Sequence, residues 1–125
     1  MNIRLLIADD NRDMANSLAL LLRREGFEVQ VACDGDQAIE TALLFNPDVL
    51  ILDLCMPILG GLDVANHLQK LPEFAGKVFI AMTGYTDARH LDQVAQAQFD
   101  EYLIKPFRLD RLLSMLEHVS SHLAH

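Results

Sequence analysis

Short apolar runs alternate along this chain with longer segments in which apolar residues recur at helical spacing. Five runs show this pattern, each followed by a helical segment: residues 3–8, 27–32, 49–52, 78–82 and 102–104. A strand followed by a helix, repeated in this way, is typical of crossover units that pair parallel strands and cover the sheet with helices. The sequence therefore predicts an α/β fold built on a parallel sheet.

The polarity of the five runs predicts their places in the sheet. The first, third and fourth runs are almost wholly apolar, as strands buried on both faces must be. In the second run Phe27, Val29 and Val31 alternate with polar or small residues, and Asp100 and Glu101 precede the fifth. Two polar-flanked strands at the margins and three apolar strands inside predict a doubly wound, five-stranded parallel sheet of order 2-1-3-4-5.

Five helices are predicted to connect and follow the strands. Their apolar stripes are, in order, Met14, Leu18, Leu21 and Leu22; Ala38, Ile39, Ala42 and Leu43; Leu62, Ala65 and Leu68; Leu91 and Val94; and Leu109, Leu112, Leu113, Leu116 and Val119. Asn11 and Asp13 supply capping chemistry at the start of the first helix, and Asp34 with Gln37 forms a capping-box pattern before the second. The fourth, after Thr86, has the weakest stripe. Because the last helix uses up the chain, we expect one domain over residues 1–125 and no output domain.

The charge balance limits the partners of such a domain. Ten Lys and Arg residues against 18 Asp and Glu residues give a net charge of -8, so we expect no direct binding to nucleic acid by charge. No apolar run approaches the roughly 20 residues of a membrane span, and the N-terminus lacks a signal peptide, so we expect a cytoplasmic protein without membrane contact. Cys33 and Cys55 are too few for a zinc cage or a disulfide framework, which fits a reducing compartment.

Polar residues stand where four of the predicted strands end. Asp9 and Asp10 follow the first strand, Asp53 follows the apolar run of the third, Thr83 follows the fourth and Lys105 follows the fifth. In open parallel sheets, ligands bind beyond the carboxyl ends of the strands, where the strand order reverses. We therefore expect three carboxylates, a hydroxyl and an ammonium group to converge at one edge of the sheet.

This set of side chains predicts a phosphate-binding site with Mg²⁺ as its cofactor. Three carboxylates held together raise each other's pKa unless a cation lies among them, and ligation by oxygen alone suits Mg²⁺ better than zinc. Lys105 can pair with Asp53 at rest and then with phosphoryl oxygens, and Thr83 adds a hydroxyl. The sequence has neither a P-loop nor a Gly-x-Gly-x-x-Gly motif after the first strand, so the phosphoryl group must arrive on another molecule.

The residues at the strand ends, in chain order, resemble the signature of the response-regulator receiver domain of two-component (phosphorelay) signalling: Asp9-Asp10, Asp53, Thr83-Gly84 and Lys105-Pro106. Further matches lie in the loop after the family's phosphoacceptor and at its aromatic switch position: Met56-Pro57, Gly61 and Tyr102. The resemblance covers the whole chain and implies a flavodoxin-like receiver fold with five helices and a cis bond before Pro106. Residues 9–13 and 83–85 are also similar, more weakly, to receivers attached to hybrid histidine kinases.

The resemblance implies a role for each acidic residue. Asp53 is then the phosphoacceptor, a nucleophile that becomes an acyl phosphate. Asp10 binds Mg²⁺ directly, Asp9 binds it largely through water, and Asp53 shares the same ion. The third protein ligand is the main-chain carbonyl of Cys55, a residue that departs from the family's common Asn or Met beside the path of attacking water.

The resemblance also implies a signalling switch that catalyses only its own phosphorylation and dephosphorylation. Lys105 and Thr83 then contact the phosphoryl group, Thr83 moves towards it, and Tyr102 turns inward behind it. This change remodels a surface read by a downstream protein target. The donor is a histidine kinase or a histidine-phosphotransfer protein, which we expect to dock near the first helix around Arg12, Met14 and Ala15, because these residues border Asp53 in this topology.

Three other functions compete with this interpretation. A small phosphatase with an aspartate nucleophile resembles a pattern that has a second Asp two residues after the first, where this chain has Cys55. A flavin-binding electron carrier needs a Ser, Thr and Gly-rich loop in place of Asp9-Asp10. A receiver-like docking module that is never phosphorylated does not need the complete set of acidic, hydroxyl and lysine positions.

Overall fold

The computed structural model describes residues 3–84 and 99–123. Its five strands are β1 (Arg4–Ala8), β2 (Glu28–Ala32), β3 (Val49–Asp53), β4 (Val78–Gly84) and β5 (Glu101–Lys105). All neighbouring strands pair in parallel, in the order β2-β1-β3-β4-β5. The predicted sheet order is confirmed, and so is the placement of the second and fifth strands at the edges.

Three strands run further towards the carboxyl edge than their apolar runs indicate. β3 includes Asp53, β4 continues through Thr83 to Gly84, and β5 ends at Lys105. We predicted that Thr83 and Lys105 follow their strands, whereas both lie within them. The side chains are polar, but the backbone keeps its ladder hydrogen bonds to the neighbouring strand, and the ladder decides where a strand ends.

Four α-helices cover the two faces of the sheet in the described part of the chain. They are α1 (Arg12–Arg24), α2 (Gly35–Phe45), α3 (Gly61–Gln69) and α4 (Leu109–Leu123), with a 3₁₀ turn at Pro72–Phe74 after α3. The helix predicted after Thr86, with Leu91 and Val94, lies outside the described residues, as does Tyr85. Within residues 3–84 and 99–123, the helices are too short or too polar to cross a membrane. The architecture is the flavodoxin-like α/β fold predicted from the sequence.

Successive strand residues alternate between two cores on opposite faces of the sheet. On β1, Leu5 and Ile7 belong to the core that contains α1 and α4, whereas Leu6 and Ala8 belong to the core that contains α2 and α3. All four side chains are fully buried, as expected for a strand covered on both faces. The same alternation determines which face of the sheet each polar side chain at a strand end occupies.

The predicted buried stripe of helix α1 is confirmed at Leu18 and Leu22 and is wrong at Leu21. Its buried residues are Ala15, Leu18, Ala19 and Leu22. Leu21, which we placed in the buried stripe, is 40% exposed, and Met14 is only partly buried. The small side chains of Ala15 and Ala19 let the helix approach the sheet closely, so the stripe is centred on alanines. A prediction based on the larger apolar side chains finds Leu18 and Leu22 and misses these two alanines.

The predicted helix caps of α1 and α2 are confirmed. Asn11 Oδ1 accepts from the Met14 N–H at 3.2 Å, and Asp34 Oδ1 accepts from the Gln37 N–H at 2.7 Å. Gln37 makes the return bond of the capping box to a different donor, because its Oε1 accepts from the N–H of Cys33 at 2.6 Å. Both caps place a helix N-terminus at the carboxyl edge of the sheet.

Candidate functional site

Two buried carboxylates and one lysine form an ionic cluster at the carboxyl edge of the sheet. Asp9 follows β1 and is fully buried, Asp53 ends β3 and is 4% exposed, and Lys105 ends β5. The Lys105 Nζ lies 2.6 Å from Asp9 Oδ2 and 3.0 Å from Asp53 Oδ2. Each of these residues continues the strand series that faces α1 and α4, which brings their side chains together.

Backbone donors hold the remaining oxygen of each buried carboxylate. Asp9 Oδ1 accepts from the Asn11 N–H at 2.9 Å, and Asp53 Oδ1 accepts from the Cys55 N–H at 2.9 Å. In both cases the donor lies two residues further along the chain, where the backbone turns away from the strand. Each carboxylate is therefore fixed by a lysine on one oxygen and by its own turn on the other.

Asp10 completes a group of three carboxylates. Its side chain is exposed, and carboxylate oxygens of Asp9, Asp10 and Asp53 lie within 4.8 Å of one another. This donor set contains oxygen atoms alone, two of its members are buried, and the third is exposed to solvent. The set fits a hard divalent cation such as Mg²⁺, which binds through a few carboxylates and keeps several waters.

Burial and charge change the proton affinities of the two central groups. Burial raises the pKa of Asp53 above its ordinary value of 3.8, although the bonds from Cys55 and Lys105 act in the opposite direction. Burial by itself lowers the pKa of Lys105, but the hydrogen bonds and negative charges of Asp9 and Asp53 outweigh it and raise this pKa. Lys105 is therefore firmly protonated, and Asp53 is a carboxylate whose charge the site stabilises poorly without a further cation.

Thr83 lies on the other face of the sheet from the ionic cluster. It follows Phe79 and Ala81 in the strand series that faces α2 and α3, and it is fully buried. Its hydroxyl donates to the Gly84 carbonyl at 3.4 Å, and in the described part of the chain it makes no hydrogen bond to Asp53 or Lys105. The structure therefore brings Asp9, Asp10, Asp53 and Lys105 together, whereas the Thr83 hydroxyl has no hydrogen bond to any of them within the described residues.

Tyr102 lies on the same face as Thr83. It is partly buried against the core that contains α2 and α3, and its Cα is paired with that of Ala81 across the β4–β5 ladder. Its ring centre is 6.3 Å from that of Phe99, with the two ring planes at 55°. Both rings of this aromatic pair pack against the core that contains α2 and α3.

The loop between β3 and α3 is packed closely against the backbone of the site. A Cβ atom on Gly61 would lie 2.5 Å from the carbonyl oxygen of Asp53, and one on Gly60 would lie 2.6 Å from that of Leu54. At the rim of this loop Cys55 is exposed, and Ile58 adopts a φ of 69° with a side chain that is 99% exposed. We predicted the loop from resemblance alone. The polarity of the side chains in the sequence does not reveal the close contacts of these glycines. It also does not reveal the backbone N–H groups that donate to Asp9 and Asp53.

The peptide bond between Lys105 and Pro106 is cis, as the resemblance implies. It follows directly on the residue that contacts Asp9 and Asp53.

Known proteins match this chain over most of its length. A family model described as the response regulator receiver domain matches residues 5–117. Among curated relatives, the DNA-binding response regulator MtrA of Mycolicibacterium paratuberculosis is 32% identical over 114 residues, covering 91% of this chain and 49% of the relative. The transcriptional regulatory protein PrrA of Mycobacterium leprae is 35% identical over 116 residues, covering 91% of this chain and 48% of that protein. The chain thus spans about half the length of these relatives.

Solved structures give the same family and fold. The REC domain of AraT, a response regulator from Geobacillus stearothermophilus, has a TM-score of 0.87 and 31% identity, with 99% of this chain and 97% of that chain covered. Chemotaxis response regulator CheY4 of Vibrio cholerae has a TM-score of 0.88 at 24% identity, covering 95% and 99% of the two chains, which supports the fold. Sheet order, family match and relatives agree, and the chain belongs to the response regulator receiver domain family of two-component signal transduction.

Proposed function

We propose that this chain is a phosphorylation-dependent signalling switch that accepts a phosphoryl group on Asp53. The observation that carries the proposal is the contact of Lys105 with both Asp9 and Asp53, beside the exposed carboxylate of Asp10. Phosphoryl transfer requires an in-line nucleophile and neutralisation of the charge on the equatorial oxygens, and it needs little other chemistry. Asp53 supplies the nucleophile, and the surrounding groups supply positions for cations.

The transfer exchanges one bond to phosphorus for another. A carboxylate oxygen of Asp53 attacks the phosphorus of a phosphohistidine, the P–N bond breaks, and the histidine nitrogen leaves with the bonding electrons and takes up a proton. Lys105 already contacts Asp53 at 3.0 Å and keeps its charge, so its ammonium lies beside the group that arrives. The hydrogen bond from the Cys55 N–H to Asp53 Oδ1 orients the carboxylate for attack.

The proposed cofactor is Mg²⁺, held by Asp10, by Asp9 largely through water, by Asp53 and by the main-chain carbonyl of Cys55. When bound, it neutralises charge on a phosphoryl oxygen and on the carboxylates. The oxygen-only donor set and the raised pKa of Asp53 both fit a site that takes up a cation. Asp9 is fully buried with both oxygens engaged by protein groups, which suits a ligand that acts through water.

Thr83 and Tyr102 are the proposed switch residues. In the structure the Thr83 hydroxyl points to the Gly84 carbonyl at 3.4 Å, the length of a weak bond that a phosphoryl oxygen can replace. A move of Thr83 towards the phosphoryl group opens space on the face that it shares with Tyr102. Tyr102 then turns inward and remodels the surface near β5, where a downstream protein target binds.

The proposed donor is a histidine kinase or a histidine-phosphotransfer protein that docks beside α1. An apolar groove of about 470 Å³ runs from Lys105 along this helix, lined by Met14, Leu18, Leu21, Pro106, Phe107 and Leu109 among others. The groove leads directly to a residue of the ionic cluster. Ala15, which we predicted to contact the donor, is fully buried under the helix and is replaced in this role by Leu21.

We further propose that residues 1–125 act as one receiver domain that catalyses only its own phosphorylation and dephosphorylation. The relatives named as DNA-binding regulators are about twice as long as this chain, which matches about half of their length and has a net charge of -8. We therefore propose that this domain does not contact nucleic acid directly or bind a membrane. Its cytoplasmic location stays a prediction.

Intact mass spectrometry after incubation with a small phosphodonor tests the proposal. We expect wild type to gain one phosphoryl group with Mg²⁺ and none with a chelator, and we expect Asp53→Asn to gain none. Asp63→Asn, an exposed aspartate in the first turn of α3, is the matched control and should react like wild type. Wild type that stays unmodified, even with a set of phosphorylated histidine proteins as donors, would favour the docking-module interpretation.

A further inference from the structure

Strand β2 is an edge of the sheet, and half of its backbone groups point away from its neighbour. The Glu28 N–H donates to the Ile3 carbonyl, and the Ala32 carbonyl accepts from the Asp9 N–H, so the even-numbered residues of β2 bond to β1. The N–H and C=O groups of the odd-numbered residues, Val29 and Val31, therefore face outward, as does the N–H of Cys33. Such a row of groups is a template on which another strand can add.

One end of this row is covered by a side chain from α1. The guanidinium of Arg23 donates from Nη2 to the Val29 carbonyl at 2.7 Å, a short bond that reaches from the last turn of the helix to the edge strand. The bond satisfies an outward carbonyl with a charged donor, which makes it stronger than a neutral pair. A strand that approaches this edge must first displace Arg23.

The other end is covered by a side chain from α2. Gln37 Oε1 accepts from the outward N–H of Cys33 at 2.6 Å. Gln37 is itself held in place, because its own N–H donates to the capping carboxylate of Asp34 at 2.7 Å. The outward-facing groups between the Val29 N–H and the Cys33 N–H are thus partly covered. In the described structure, the N–H of Val29 and the N–H and C=O of Val31 have no such side-chain partner.

We propose that Arg23 and Gln37 close the β2 edge against pairing with β2 of a second copy of this chain. In a two-fold antiparallel pair centred on Val31, Val29 of each copy lies opposite Cys33 of the other. The bond that such a pair needs, from the Cys33 N–H of one copy to the Val29 carbonyl of the other, has both of its groups covered. Its symmetry mate is covered in the same way, so Arg23 and Gln37 block the outermost bonds on both sides of the centre.

The sequence of β2 favours pairing with another strand, which explains why its edge needs protection. The strand reads Glu-Val-Gln-Val-Ala, with two β-branched residues, no proline and one charge, so it pairs readily if its edge is open. Charged residues and proline are common means of protecting an edge strand, and they occur at outward positions of the strand itself. Here the protection comes from two neighbouring helices, one on each face of the sheet.

Sedimentation velocity over a range of protein concentrations tests this proposal. We expect wild type to sediment as a monomer, and we expect Arg23→Met with Gln37→Met to self-associate about tenfold more tightly or better, since two backbone bonds are recovered per dimer. Arg24→Met is the matched control, because it removes the same charge from the same turn of α1 and should stay monomeric. A double variant that stays monomeric at all concentrations would overturn the proposal.

A third substitution decides which surface is used. Val31→Pro removes the central outward N–H at a position where an edge strand tolerates proline, so adding it to the double variant should restore the monomer. Self-association that survives Val31→Pro would place the contact elsewhere and would also contradict the proposal. If the double variant does not fold, amide exchange in Gln37→Met alone remains decisive. We expect faster exchange at Cys33 there, and unchanged exchange would show that Gln37 does not cover this group.

Discussion

The carboxylates of the site outnumber its cations in the described part of the chain. Asp9 and Asp53 are buried, Asp10 lies beside them, and Lys105 is the one cation in contact with the pair in the described part of the chain. Two buried carboxylates that share one lysine are left incompletely neutralised. Burial of the carboxylate is the main reason that the pKa of Asp53 is raised, and the negative charge of Asp9 adds to it, so that the two outweigh the bonds from Cys55 and Lys105.

The raised pKa of Asp53 gives stability a definite dependence on pH. Because the folded protein holds this proton more tightly than the unfolded chain, with its ordinary value of 3.8, the contribution of Asp53 to stability is present at low pH. It is lost as pH rises through the folded pKa. We expect Asp53→Asn, without Mg²⁺, to unfold at higher urea concentration than wild type at neutral pH, with a difference that shrinks as pH falls towards 4. A difference independent of pH would contradict this assignment.

Lys105 offers the complementary prediction. Lys105→Met leaves two buried carboxylates without their cation, so we expect the free energy of unfolding in chelator to fall by about 3 kcal/mol, the size of effect seen when one partner of a buried ion pair is removed. Lys70→Met, an exposed lysine at the end of α3, should change it by less than about 0.5 kcal/mol. Urea denaturation measures both.

The same variant should bind Mg²⁺ more tightly than wild type, because Lys105 competes with the cation for Asp9 and Asp53. Tighter binding appears as a larger gain in stability on adding Mg²⁺, which amounts to about 2.7 kcal/mol when the ion is at 100 times its Kd. An equal gain in Lys105→Met and wild type would show that the lysine and the cation occupy separate sites.

The loop between β3 and α3 contacts the backbone of Asp53, so a change in the loop shifts a residue of the site. Gly61→Ala places a Cβ 2.5 Å from the carbonyl oxygen of Asp53, so either α3 or the end of β3 must shift. We expect a loss of about 1–3 kcal/mol in stability, as for other overpacked sites, and weaker binding of Mg²⁺. Chemical denaturation with and without Mg²⁺ measures both effects.

Gly76→Ala is the control for this change. Gly76 has a φ of 85°, and nothing lies within 4 Å of the place that a Cβ would take, so alanine strains the backbone without a contact at the site. We expect a loss of stability of about 1–2 kcal/mol with unchanged Mg²⁺ affinity. If both glycine variants weaken Mg²⁺ binding equally, the effect reports general destabilisation and the loop has no special link to the site.

The strands were predicted from the sequence more successfully than the buried face of α1. The apolar runs identified all five strands and their order, because a strand buried on both faces must be apolar along its length. The buried face of α1 was predicted wrongly at Leu21, since close packing against the sheet is decided by small residues such as Ala15 and Ala19.

In the site, the sequence predicted which strands bring the carboxylates and Lys105 to one edge. The backbone donors at Asn11 and Cys55 could not be predicted in the same way, because every residue type offers the same N–H. The position of Thr83 within β4 was missed for a related reason, since the ladder that continues past the apolar run is also made by backbone groups.

The net charge of the whole chain disfavours binding to nucleic acid. With a net charge of -8, the isolated chain should be repelled by phosphate backbones, although relatives that match over about half of their length are named DNA-binding regulators. We expect no binding to a random duplex at physiological salt within the range of non-specific affinities, a Kd of about 10⁻⁴–10⁻⁶ M. Fluorescence anisotropy measures this, and binding that weakens steeply with salt would contradict it.

The alternation of strand residues between two cores also limits which changes in length this chain can accept. Asp53 follows Val49 and Ile51 on one face of the sheet, whereas Thr83 follows Phe79 and Ala81 on the other. Deleting one residue from the middle of β3 would shorten the strand slightly but would turn the Asp53 carboxylate to the opposite face, away from its lysine. Over many generations, a change of two residues within β3 would keep Asp53 on its face of the sheet, whereas a change of one residue would not.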